Sequence, residues 1–145
     1  MSEISSPPPL NSIPIQNTPP HLPPKIDQPE RVEVVIEKIQ QKTGLFSKLT
    51  FCLVITDLRL IFALQGKNKI DYMHQDPEIT RNENPANFAI TRDQLQVIEV
   101  YKGDFDDNFP DSIIVKTLSE KLNFTISNYF SVNNQLKKAL GNKVK

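Results

Sequence analysis

The sequence predicts an all-β domain closed by one C-terminal helix, and three observations carry that prediction. β-forming residues alternate with polar ones in short runs from Val32 to Ser127, the pattern of half-buried strands. The period becomes helical only after Ser127, where Val132, Leu136 and Leu140 fall at i, i+4 and i+8 with Ala139 beside them. Nine of the 12 prolines precede Glu30, and the first of the four glycines is Gly44. The chain therefore divides into a proline-rich tail over 1–29 and a folded domain over 30–145.

The tail carries Pro7-Pro8-Pro9, Pro19-Pro20 and Pro23-Pro24, which forbid helix and sheet interiors, so it is expected to be disordered or polyproline II. Its segment 20–25, Pro-His-Leu-Pro-Pro-Lys, has the PxxPxK spacing of a ligand for an aromatic groove. Such spacing arises readily in proline-rich chain, and a spacer is the ordinary reading.

In the domain, the first strand is expected over 32–40. Val32, Val34 and Ile36 share one face and Ile39 falls on the other, which predicts a bulge or a strand exposed to two environments. A polar turn follows over 41–44, with Gly44 supplying positive φ. The second strand, 45–55, alternates Leu49, Phe51, Leu53 and Ile55 against Lys48, Thr50, Cys52 and Val54. The third, 59–65, places Leu60, Phe62 and Leu64 inward. Residues 66–86 lack periodicity and are long for a loop in a compact domain, so a functional or a disordered segment is expected. Strands at 87–91, 95–102, 112–118 and 122–127 complete seven, with an acidic loop at 104–111. The helix is expected over 130–140, capped by Asn128 or Ser131 and stopped by Gly141. A half-polar strand set needs a second surface to bury its apolar face. A bent sheet or partly open barrel plugged by the helix satisfies that need.

Charge and cysteine content exclude several classes. From Arg31 onward there are 16 basic and 14 acidic residues, an excess too small for affinity built on nucleic-acid phosphates, so no nucleic-acid partner is expected. The lone cysteine, Cys52, cannot form an internal disulfide. The N-terminus lacks the basic and apolar regions of a signal peptide, and no apolar run could span a bilayer. The expectation is a soluble cytoplasmic protein, with peripheral membrane attachment as the variant.

The element order resembles the pleckstrin-homology-like (PH-like) superfold, nearest to short prokaryotic PH-type and GRAM-type domains. The residues that carry the resemblance are Ile55-Thr56-Asp57-Leu58-Arg59-Leu60-Ile61-Phe62, similar to the turn between the second and third strands, and Leu95-Gln96-Val97-Ile98-Glu99-Val100-Tyr101-Lys102-Gly103. The resemblance spans about 32–141. It departs from the family in the long 66–86 stretch and in a final helix without tryptophan. It implies a non-catalytic binding module, because this superfold hosts lipid binders, peptide binders and scaffolds.

The ligand-binding candidates sit on the first hairpin: Lys38, Lys42, Leu45, Phe46 and Lys48. A phosphoinositide pocket would need a basic-x-Arg pattern on the second strand, but the position two after Lys48 is Thr50, so the bidentate clamp is missing. An apolar tip with basic shoulders suits shallow insertion into an anionic lipid surface. Strand alternation would instead turn one of Leu45 and Phe46 inward. The acidic loop departs from a calcium loop, with Phe109 and Val115 where glycine and glutamate are needed. It reads as a solvated turn with Phe105 or Phe109 tucked onto the barrel. His21, His74 and Cys52 are not at metal-ligand spacing, so no metal, cofactor or enzyme activity is expected. The strand at 95–102 is the edge expected to receive an extended protein or peptide partner, the tail of the same chain, or a second copy in an edge-to-edge homo-oligomer.

Overall fold

The computed structural model describes residues 29–145. The proline-rich tail apart from Pro29, with His21 and the 20–25 segment, lies outside the described residues. Seven antiparallel strands, β1 (Val32–Lys42), β2 (Lys48–Thr56), β3 (Arg59–Leu64), β4 (Phe88–Thr91), β5 (Leu95–Tyr101), β6 (Ser112–Thr117) and β7 (Lys121–Thr125), form one open sheet in the order β4-β3-β2-β1-β7-β6-β5. A short helix α1 (Pro77–Asn82) lies between β3 and β4, and a longer helix α2 (Tyr129–Leu140) follows β7.

The sheet folds over on itself. β3 and β7 are three places apart in the strand order, which in a flat sheet is about 14 Å. The rings of Phe62 on β3 and Phe124 on β7 nevertheless stack with centroids 5.2 Å apart. The bend is built into β1. Its pairing with β2 slips between Ile36 and Ile39, and Lys38 takes a φ of 61° inside the slip. This is the bulge expected from the sequence. It returns Ile39 to the core beside Val34 and Ile36, and beyond it Gln40 pairs with Thr125 of β7.

One core fills the fold, drawing on all seven strands and α2. Val132, Leu136 and Leu140 are the buried face of α2. Asn128 supplies the N-cap, its Oδ1 accepting from the Ser131 amide, and Gly141 takes a φ of 61° while its N–H donates to the Lys137 carbonyl. Leu49 departs from the inward set: it begins β2 beyond the reach of the core and is exposed.

The 66–86 stretch is ordered and includes a short helix, against the alternative of disorder. It is an ordered cover for the outer face of β2 and β3. Cys52, Val54, Ile61 and Ala63 point to that face and form a second cluster with Tyr72, against which Ile70 packs. Asp76 caps α1 through a hydrogen bond from the Glu78 amide, and Pro77 takes the first helical position, where no N–H is needed. Buried Asn87 fastens the cover, with Oδ1 accepting from the Leu64 amide at 2.7 Å and Nδ2 donating to the Thr80 carbonyl at 2.8 Å.

The first hairpin also differs from expectation. β1 continues to Lys42 and β2 begins at Lys48, so residues 43–47 form the turn and Leu45 and Phe46 lie outside β2. Gly44 does not adopt positive φ. The amides of Thr43 and Gly44 both donate to the Ser47 carbonyl, and this closes the turn without a left-handed residue. Among the described residues, no helix is long and apolar enough to cross a membrane.

Candidate functional site

The five hairpin residues do not form one site. Lys42 and Lys48 face each other across β1 and β2, at the base of the turn that carries Leu45 and Phe46. Lys38 sits on the bulge and lines a different groove, with Lys67 and Lys69 from the 66–86 cover and with Glu37. Three lysines around one turn, as a phosphate cluster would require, are not assembled. Leu45 is 78% and Phe46 95% exposed. The expectation that one of them turns inward fails because strand alternation does not govern a five-residue turn.

The β5–β6 loop adjoins this turn. Lys42, Leu45, Phe46 and Lys48 line a shallow groove of about 430 Å³ with Pro110 and Thr125. Pro110 also lines a second groove with Phe105, Phe109 and Lys102. Phe105 is 96% and Phe109 65% exposed, so neither ring tucks onto the barrel as expected. Leu45, Phe46, Phe105, Phe109 and Pro110 thus form a stepped apolar rim.

The loop that presents the phenylalanines is internally braced. The Phe109 amide donates to the Asp104 carbonyl at 2.9 Å, the Asp106 amide to Asp104 Oδ1 at 2.9 Å, and Asn108 takes a φ of 60°. A Cβ on Gly103 would collide with the Phe109 carbonyl and the backbone of Pro110, so glycine is required where the chain leaves β5. Asp111 ties the base: one oxygen accepts from the Gly103 amide at 2.7 Å, the other from the Tyr129 amide at the start of α2 at 3.0 Å. The two rings are therefore displayed from an ordered loop. Lys102 extends over the Phe130 ring, 5.2 Å from its centroid.

Charge on the rim is mixed. Lys42 and Lys48 line the groove at the β1–β2 turn, Lys102 and Asp104 line the second groove, and Asp106 and Asp107 follow in the same loop; among the described residues none of the six takes part in an ion pair. The sequence carries one signal for the rim: Phe105 and Phe109 stand among aspartates in a stretch without strand alternation. Its adjacency to the hairpin depends on tertiary structure.

The β5 edge expected to receive a partner strand is filled in part, between Ile98 and Val100. Val144 lies beside Ile98 as a parallel bridge. The Val100 amide donates to the Lys145 carbonyl at 3.0 Å and the Lys145 amide to the Ile98 carbonyl at 2.9 Å. Strand addition at this part of β5 would have to displace the chain's own C-terminal residues.

Cys52 is buried in the outer cluster. Burial, with a smaller contribution from Glu37, pushes its thiol up from 9.0 to about 12. A value raised in the folded state means that the neutral thiol favours folding below pH 9.0, and that this contribution is lost as pH rises towards about 12. Iodoacetamide at about pH 8 is expected to label Cys52 far more slowly in the folded chain than in the urea-unfolded one. Mass spectrometry over a urea series checks this; labelling at the free-thiol rate in the native chain would contradict the burial. His74 is exposed and hydrogen-bonds Asp71 at 2.7 Å. Among the described residues, no three His, Cys, Asp or Glu side chains are grouped closely enough to hold a metal ion.

No known family model matches the chain, and a search of curated proteins finds no significant relative.

Proposed function

We propose that this chain is a non-catalytic interaction module of PH-like architecture, and that its contact surface for a protein partner is the rim formed by the β1–β2 turn and the β5–β6 loop. One observation carries the reading: Leu45, Phe46, Phe105 and Phe109 are all exposed on two adjoining, hydrogen-bonded loops. Exposed aromatics clustered on a rigid frame are the usual anchors of protein interfaces. Burying Phe46 and Phe105 contributes about 2 kcal/mol each before association costs.

Mixed charge favours a protein over a lipid partner. Each lysine near an anionic bilayer contributes about 1 kcal/mol, but three aspartates on the same rim oppose the three lysines. A protein partner tolerates mixed charge, since rim charges serve specificity more than affinity. The second reading is attachment to anionic lipid through Leu45 and Phe46 alone, and it is favoured by the placement of Lys42 opposite Lys48 at the base of that turn.

The test compares wild type with Phe46→Ser plus Phe105→Ser, a pair exposed enough to leave stability within about 0.5 kcal/mol. In affinity capture, partners retained by wild type are expected to be lost by the variant, with affinities reduced at least about 100-fold. Equal capture by both would sink the rim as contact surface. Vesicles of about 30% phosphatidylserine are expected to leave wild type in the supernatant. Salt-sensitive sedimentation abolished by Leu45→Ser plus Phe46→Ser would transfer the assignment to lipid.

A further inference from the structure

The rim has a second chemical property. Asp104, Asp106 and Asp107 stand in the same short loop as Phe105 and Phe109, with Pro110 continuing the apolar surface towards the hairpin. Aromatic grooves receive polyproline II segments because that helix is preformed and exposes its rings, and a carboxylate beside the groove selects a basic residue flanking the prolines. The chain carries such a segment in Pro20-His21-Leu22-Pro23-Pro24-Lys25. We infer that the rim binds residues 20–25 of a second copy of this chain, with the prolines against Phe105, Phe109 and Pro110 and Lys25 beside Asp106 and Asp107. The inference rests on the reading of the rim as a protein-contact surface and names its partner.

Chain length favours the second copy. Glu30 is held at the start of β1, where its carboxylate accepts from Thr56 and Arg59. β1 then runs to Lys42, beside the rim, a length of roughly 30 Å along the strand. The five residues from Lys25 to Glu30 extend at most about 18 Å. Followed back along β1, that reach falls short of the acidic loop of its own domain. Every copy has one segment and one rim, so two copies exchanging segments form a closed reciprocal dimer, whereas one-way exchange would form open chains.

Sedimentation velocity on the full chain, from about 5 to about 500 µM, reads the result in the range expected for a small apolar contact. Wild type is expected to pass from monomer to dimer with concentration. Pro20→Ala plus Pro23→Ala, and separately Phe105→Ser plus Phe109→Ser, should each raise the midpoint at least about tenfold. Mixing those two variants should restore part of the association, because their heterodimer keeps one of the two contacts, the intact rim of one with the intact segment of the other. Lys25→Glu should weaken the dimer, and Asp106→Lys plus Asp107→Lys in the same chain should recover it. A wild type that stays monomeric throughout overturns the inference. So does a dimer insensitive to the proline substitutions; if that dimer is still lost in the phenylalanine variant, the rim stands as a contact surface and only its assigned partner fails.

Discussion

Phe62→Ala is expected to cost about 3–5 kcal/mol, a large share of a domain stability of about 5–15 kcal/mol. Phe62 is fully buried and stacks on two rings from different parts of the folded sheet, Phe88 at 4.6 Å and Phe124 at 5.2 Å between centroids. Phe51 closes the group edge-on, 5.7 Å from Phe88 and 6.3 Å from Phe124. Removing the central ring leaves a cavity that three neighbours on separate strands cannot fill together. Phe62→Leu should cost much less, about 1–1.5 kcal/mol, because it keeps most of the volume. Urea unfolding followed by circular dichroism measures both. A loss below about 1 kcal/mol for Phe62→Ala would mean that the sheet does not close over this ring.

Arg92→Ala is expected to cost about 2–4 kcal/mol through a different mechanism, the loss of several hydrogen bonds at once. The Arg92 guanidinium donates to the carbonyl of buried Thr56 through Nε at 3.1 Å and a terminal nitrogen at 2.7 Å. It also donates to the Ala139 carbonyl near the end of α2 at 3.1 Å and to Glu33 on β1 at 2.8 Å. Its own carbonyl accepts from Lys143. One side chain thus joins β1, the end of β2 and the helix. Arg92→Lys should recover little, since a single ammonium cannot span acceptors in three directions. Most acceptors are neutral carbonyls, so the loss should persist in about 1 M salt, where the Glu33 pair is screened. A cost that vanished with salt would show that only the ion pair matters.

Much of the fold was legible in the residues. The seven strands follow from period-two runs, the bulge from Ile36 and Ile39 standing three residues apart in one strand, and the helix stripe from Val132, Leu136 and Leu140. The order of the 66–86 stretch does not show in its residues, because its apolar anchors, Ile70 and Tyr72, are too few to set a period. The apolar outer faces of β2 and β3, Cys52, Val54, Ile61 and Ala63, already required a cover. Leu45 and Phe46 were placed by alternation, a rule that ends where the ladder ends.

The strand set and the C-terminal helix were thus determined by the sequence alone, because local periodicity and turn chemistry act over a few neighbouring residues. Tertiary structure decided which loops meet. It separated Lys38 from Lys42 and Lys48 and filled part of the β5 edge with Val144 and Lys145. It also brought Pro110 and the 104–109 loop beside the first hairpin. Those placements follow from the bend of the whole sheet, which β1 initiates at one bulged residue and which the stacking of Phe62 between Phe88 and Phe124 completes.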